Sequence, residues 1–379
     1  MNYKKNIALT VFTSFITLGF TQTKQLTLED IYKNGTFASK GVFGIVSMKD
    51  GLHYTTQETK NNATYILKYE YATAKLPDTI LNQSSLNIDG KKFTIDAYQI
   101  NRAENYILLA TQTEHIYRYS TKELYYLYAI ETKTLMAIGG DEKKSYARFS
   151  PDGNKITYVK NNNLFIYDIA SKNEIQITTD GGVNNIINGA TDWVHEEEFA
   201  FSIAYEWNVD NTKIAYYKFD ESKVKEFSFD EYNNQLYPTP YKYKYPKAGE
   251  DNSIVSIWVY DLEKAFSKKL DTGNETNIYL PRIKWTKDAN VLSIVRMNRY
   301  QNKLDLLLCN ILNNKTTAIY TEQSNTYIDI HEKNGDYVYF LKDKKHFIIM
   351  SERDGFNHFY HYDLTGKLIK QITKGSWDV

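Results

Sequence analysis

The chain has 379 residues, in which 46 basic and 46 acidic side chains cancel, and 15% of the residues are aromatic, tyrosine foremost. That charge balance excludes a nucleic-acid or other polyanion partner, which calls for a basic excess. The single cysteine, Cys309, excludes an intramolecular disulfide, and the aromatic-rich composition is that of a strand-leaning globular protein.

Residues 1–23 differ in kind from the rest. Lys4 and Lys5 precede an uncharged, mainly apolar run from Ile7 to Phe20, and Thr21-Gln22-Thr23 separates that run from Lys24. The order predicts a secretory signal peptide, because a run of about 14 residues falls short of the ~20 needed to span a bilayer. Export to a periplasm or beyond follows, with no membrane attachment once the peptide is cleaved. An uncleaved anchor is the alternative.

Two repeats mark the remainder, residues 24–379. Phe149-Ser150-Pro151-Asp152-Gly153-Asn154-Lys155-Ile156-Thr157-Tyr158 aligns without gaps to Trp207–Tyr216 and to Trp285–Ile294. In each copy an aromatic residue ends one strand, an Asp-centred turn reverses the chain, and an apolar strand begins. Asp suits such turns because its carboxylate accepts from nearby backbone amides. The second repeat is Tyr167-Asp168-Ile169, Tyr260-Asp261-Leu262 and Tyr362-Asp363-Leu364, with a looser copy at Tyr128-Ala129-Ile130. Units of several short strands recur at roughly 40–90, 91–140, 141–180, 188–275, 276–322 and 323–379. Such a period predicts an all-β fold, a β-propeller of about six four-stranded blades. The fourth unit is oversized, with additions at about 188–250.

The most informative stretch lies inside that unit: Asp192-Trp193-Val194-His195-Glu196-Glu197-Glu198, followed by a mostly apolar run from Phe199 to Tyr205. On a helical reading with Thr191 or Asp192 as N-cap, Glu197 falls in the row of Trp193, Ala200 and Ala204. Glu198 falls in the row of Val194 and Phe201. Both acids then interrupt rows that would otherwise bury, and a carboxylate drawn towards a core needs a cation or donors to meet it. The alternative is an acidic first helical turn favoured by the helix dipole. A zinc helix is excluded, since Phe199 stands where its second histidine would be.

Other chemistry is sparse. The sequence has no Walker A loop, dinucleotide fingerprint or C-x-x-C, and no metal or cofactor is expected. The His358/His361 pair reads as a strand surface. Cys309, within Leu306-Leu307-Leu308-Cys309, reads as a buried thiol. No G-x-S-x-G nucleophile elbow occurs.

The stretch from Thr191 to Glu198 resembles the glutamate motif of the dipeptidyl peptidase IV family of prolyl oligopeptidase-type serine peptidases. Tyr245-Pro246-Lys247-Ala248-Gly249 matches a second family signature, and the residues between are similar through Phe219-Asp220-Glu221 and Glu226-Phe227-Ser228-Phe229. The similarity runs from about Phe43 to Val379. It implies an eight-bladed propeller followed by an α/β-hydrolase domain with a Ser-Asp-His triad. This chain then holds the incomplete N-terminal propeller, truncated before the catalytic domain.

The resemblance assigns Glu197 and Glu198 to the α-ammonium of a peptide substrate and makes Glu196 structural. It assigns Arg118, in Ile116-Tyr117-Arg118-Tyr119-Ser120, to the carbonyl between the first two substrate residues. An arginine paired with Glu114 or Glu123 is the alternative there. The function implied is release of dipeptides, X-Pro or X-Ala, from peptides with a free amino terminus. The longer parent is expected to be a homodimer. A non-enzymatic periplasmic protein-binding propeller and a related tripeptidyl peptidase are the competing readings.

Overall fold

The computed structural model describes residues 25–39, 41, 44–75, 77–86, 93–330 and 337–379, so the expected signal peptide at 1–23 lies outside the described residues. The chain forms two compact units, Met1–Ile45 and Val46–Val379. The first carries the short helix Leu28–Tyr32, whose N-cap Thr27 accepts from the Asp30 amide. Among the described residues no helix is long and apolar enough to cross a membrane.

The second unit is the β-propeller portion, which among the described residues holds seven antiparallel sheets: six successive blades and one separate two-stranded hairpin. Blade 1 comprises Val46–Ser47, His53–Lys60, Ala63–Glu70 and Asp78–Asn82. Blade 2 comprises Ala97–Ile100, Tyr106–His115, Thr121–Ala129 and Thr134–Ala137. Blade 3 comprises Ser145–Phe149, Lys155–Lys160, Asn163–Asp168 and Glu174–Gln176. Blade 5 runs from Ile278–Trp285 to Lys315–Gln323, and blade 6 from Val338–Phe340 to Leu368–Gln371. In these five the strands pair in chain order, so each blade is a simple meander.

Strand periodicity explains why the blades stack. Alternate side chains of one strand face opposite sides of its sheet. Ile107 and Leu109 accordingly join Ile66 and Leu81 of blade 1, while Leu108 and Ala110 join Ile156 and Tyr158 of blade 3. In blade 4 (Ile186–Asn188 with Tyr205–Trp207, then Lys213–Asp220, Ile254–Asp261 and Phe266–Lys269), Ile214 and Tyr216 pack towards blade 3, whereas Ala215 and Tyr217 pack towards blade 5. Every internal blade is thus covered on both faces, which is why its two middle strands are largely apolar while outer strands such as Glu174–Gln176 stay exposed. Each fully buried isoleucine or leucine contributes about 1.5–3 kcal/mol. Cys309 is one of these core side chains.

Both sequence repeats fall at equivalent places. The first spans the turn between strands one and two of blades 3, 4 and 5, where Asp152 and Asp288 accept from the amides of Asn154 and Asn290 at 3.1 and 2.9 Å. These turns also tie neighbouring blades: Asn211 Oδ1 accepts from the Asp152 amide at 2.9 Å, and Asn208 Nδ2 donates to the Ala289 carbonyl at 3.2 Å. The second repeat closes strand three, where Asp168, Asp261 and Asp363 accept from the amides of Ser171, Glu263 and Thr365. One histidine reading is corrected. His358 is buried rather than on a strand surface, with ring nitrogens on Thr373 Oγ1 and the Gly375 carbonyl. Both partners lie in the segment that follows the last strand, Leu368–Gln371, so its two ring nitrogens are satisfied internally.

Candidate functional site

The glutamate segment is an excursion from the first strand of blade 4. That strand comes in two pieces, Ile186–Asn188 and Tyr205–Trp207, both paired with the same partner strand, Lys213–Asp220. Across the break the Gly189 amide donates to the Tyr217 carbonyl at 3.0 Å, and the Tyr217 amide donates to the Ala204 carbonyl at 2.9 Å. Ala190 and Ile203 form a bridge at the neck. The ladder therefore stays closed while 12 residues, 191–202, leave it and return. Gly189 has φ 75°, and a Cβ there would lie 2.8 Å from Leu164 Cδ1, so glycine is required at the neck.

Within the excursion, Trp193–Phe199 is helical. Asp192 caps it, accepting from the His195 amide at 2.9 Å and pairing with the His195 ring Nδ1 at 2.8 Å. Both side chains are buried. Burial opposes the charge on Asp192, but the attraction and hydrogen bonds of His195 outweigh it and hold the carboxyl below its ordinary value. Val194 and Phe199 anchor the helix in the core shared by blades 5 and 6, and Phe199 lies 5.1 Å from the Tyr279 ring. Ala200, at φ 51° and ψ 44°, ends the helix in the left-handed conformation.

That termination corrects the expectation that Glu197 and Glu198 lie in burying rows. Rows running on to Ala200, Phe201 and Ala204 do not exist, because the helix stops at Phe199. Glu196 is the buried acid, at 0% exposure, while Glu197 is partly buried and Glu198 is exposed. Glu196 Oε1 accepts from the amides of Tyr119 and Ser120 at 2.7 and 2.8 Å, contacts that tie the helix to that segment.

Those two amides belong to the segment that carries Arg118. Arg118 Nε donates to Glu197 Oε2 at 2.8 Å, an ion pair whose arginine is 66% and whose glutamate is 16% exposed. The alternative partners are otherwise engaged: Glu114 pairs with Lys122 and Lys143, and Glu123 accepts from the Tyr125 hydroxyl. Glu197 holds the arginine pKa above its ordinary value. The structure thus brings Arg118 and Glu197 together across 79 positions of sequence, with Glu198 adjacent on the helix.

Aromatic side chains of the arm complete the surroundings. The arm is a separate hairpin, Glu226–Glu231 against Thr239–Lys244, between two later strands of blade 4. The Tyr245 ring lies 4.3 Å from Trp193 of the glutamate helix, and Tyr243 lies 5.8 Å from Tyr117. Tyr117, Ser120, Trp193, Glu196 and Glu221 share a cavity of about 550 Å³. Burial, with the nearby Asp192 and Asp220 charges, pushes the Glu221 carboxyl up to about 7 against the pull of Lys244. Sequence reasoning gave Glu221 no role; the one signal was an acid directly after an apolar strand. Among the described residues no cluster has the donors to hold a metal ion.

Residues 101–379 match the family model described as the dipeptidyl peptidase IV (DPP IV) N-terminal region. The structure is similar to Porphyromonas gingivalis dipeptidyl peptidase 4, with TM-score 0.85 and 35% identity over 94% of this chain and 50% of that one. In sequence it is 27% identical to dipeptidyl aminopeptidase A of Saccharomyces cerevisiae, covering 87% of this chain and 37% of that protein. It is 26% identical to prolyl endopeptidase FAP of Homo sapiens, over 94% of this chain and 47% of the human protein. The chain therefore spans less than half the length of these two relatives. With the family model matched over most of its length, a propeller of successive four-stranded blades and a glutamate helix set into blade 4, the chain belongs to the dipeptidyl peptidase IV N-terminal region family.

Proposed function

We propose that this chain is the substrate-recognition propeller of an exported serine exopeptidase that releases dipeptides, X-Pro or X-Ala, from peptides with a free amino terminus. Family membership supports a peptidase acting on peptides. The observation that carries the finer reading is the pair Arg118 and Glu197, joined at 2.8 Å beside the exposed Glu198. A peptide α-ammonium has three donors, and two neighbouring carboxylates accept them in charge-assisted hydrogen bonds of about 1.5–3 kcal/mol each. Arg118 meets Glu197 through Nε, and a guanidinium carries further N–H donors in a fixed fork that suit a substrate carbonyl.

The fit also explains the fixed length of the product. An ammonium held at one end measures the distance to the scissile bond, and the arginine fixes the first peptide plane. Hydrolysis itself belongs to a triad on a hydrolase domain outside this sequence, and that longer parent pairs as a homodimer. The polypeptide alone is expected to leave a Gly-Pro chromogenic conjugate uncleaved, and cleavage by it would contradict this placement of the triad. Expressed with its own amino terminus, it should be recovered outside the cytoplasm without the first 20–23 residues or so, as intact mass would report.

Isothermal titration of this chain with tripeptides tests the recognition step. Acetylating the peptide amino terminus should weaken binding by about 10- to 100-fold, and Glu197→Gln and Glu198→Gln should each reproduce much of that loss. Equal affinity for free and acetylated peptides would leave the acidic triplet as a charged helix and overturn the proposal.

A further inference from the structure

A second cavity, of about 540 Å³, opens beside the glutamate segment and is lined by Tyr119, Phe201, Glu206, Tyr217 and the cations Arg148, Arg282 and Lys284. Its charged groups come from the first strands of three successive blades: Arg148 on Ser145–Phe149, Glu206 on Tyr205–Trp207, and Arg282 with Lys284 on Ile278–Trp285. Period-two alternation sets Arg282 and Lys284 on one face of their strand.

Arg282 is only 6% exposed, yet no carboxylate pairs with it among the described residues. Its Nη1 and Nη2 donate to the carbonyls of Pro281 and Ile330 at 2.7 and 3.2 Å, while its buried Nε has no partner. The Tyr217 hydroxyl, also buried, has none either. Arg148 is exposed at the same cavity and forms no ion pair among the described residues, the Glu206 carboxylate being its acidic neighbour in the lining. Besides its two carbonyls the Arg282 guanidinium meets the Phe201 ring, whose centroid lies 5.3 Å from Cζ, and a buried guanidinium without a carboxylate is costly relative to a paired one. The buried Nε of Arg282 and the Tyr217 hydroxyl, beside a second arginine, are donors suited to an anion. Glu206 lines the same cavity, and burial pushes its carboxyl up to about 7 against the attraction of Lys284 and Arg148, so near neutrality part of its charge opposes an anion.

We infer that this cavity is an anion subsite, in which Arg148 and Arg282 together with the Tyr217 hydroxyl receive a carboxylate of the bound peptide. The planar guanidinium fork matches a carboxylate in two parallel hydrogen bonds. The subsite rests on the reading of the chain as a peptide-recognition propeller. Continuity argues for the same ligand, since Tyr119 follows Arg118 in sequence and Phe201 stands two residues beyond the helix end. An ammonium held by Glu197 and Glu198 and a carboxylate held here would grip a short peptide at both signs of charge. The carboxylate can come from the peptide terminus or from an acidic side chain.

Isothermal titration of the full chain, at pH 7 and low salt, with a tripeptide carrying free termini tests the assignment. Amidating its carboxyl terminus should weaken binding at least tenfold. Arg148→Gln, an exposed and structurally safe change, should erase the difference between acid and amide, and Arg282→Gln should do the same if circular dichroism shows it folded. Glu206→Gln should instead tighten binding of the free acid, by removing a like charge. An amidated peptide with aspartate at its third position that regains affinity assigns the subsite to acidic side chains; one that does not assigns it to the terminal carboxylate. Equal affinity of acid and amide for the unmodified chain overturns the inference, as does a difference that persists in Arg148→Gln. If acetylating the amino terminus changes nothing while amidation still weakens binding, the anion subsite stands and the ammonium reading falls. The reverse pattern removes the subsite alone.

Discussion

Glu196 Oε1 lies 2.8 Å from the backbone amide of Ser120, 76 positions earlier, and so fixes the segment that presents Arg118. The same oxygen accepts from the Tyr119 amide, so one buried carboxylate satisfies two consecutive donors of a turn. The Arg118–Glu197 pair is therefore built on a second, hidden contact between the same two elements.

Glu196→Ala should destabilise the chain by about 2–4 kcal/mol, because two buried amides lose a charged acceptor. Glu196→Gln keeps an oxygen in place and should lose less than half of that. Urea unfolding followed by circular dichroism measures both, and equal losses would contradict the hydrogen-bonding role.

Phe199→Ala should cost about 3–5 kcal/mol, since Phe199 is 1% exposed and locks the glutamate helix against Tyr279. The loss should be accompanied by weaker binding of free-amine peptides, because the helix that presents Glu197 and Glu198 is no longer anchored. Thermal unfolding and titration on one sample separate the two effects.

Glu221 gives a pH dependence of defined sign. Its carboxyl sits near 7 in the folded chain, through burial and the Asp192 charge, against an ordinary value of 4.5. Between those two values the folded state holds a proton that the unfolded state has released, so stability falls as pH rises through this window and levels above it. Glu221→Gln should remove that slope, gaining on the order of 1–3 kcal/mol relative to the unmodified chain between pH 4.5 and pH 8. Parallel stability–pH curves for the two proteins would count against the buried acid.

Ala200→Gly should stabilise by about 0.5–1 kcal/mol, because Ala200 occupies the left-handed region at φ 51° where a Cβ is strained. Chemical denaturation reads the gain; a loss would mean that the alanine methyl matters more in packing than its backbone strain.

Much of this fold is written locally. The Asp-centred turns at Asp152, Asp210 and Asp288 and the Tyr-Asp strand ends at Asp168, Asp261 and Asp363 announce repeated hairpins, because turn chemistry and period-two strands act over a few residues. The helix that follows Asp192 was legible for the same reason, its cap lying three residues from the amide it satisfies. Which acid of the triplet is buried, which partner Arg118 takes and which cations share a cavity depend instead on how the blades pack. Burial of Glu196 depends on where the excursion from blade 4 is pinned, at Gly189 and Ala204, and on the left-handed stop at Ala200 that cuts short the helical rows. Arg118 passes over Glu114 and Glu123 for Glu197 because blade packing, not sequence proximity, sets the distance between charges. Arg148, Glu206 and Arg282 lie on three separate strands, and side chains that far apart meet only when the blades that carry them close around one another.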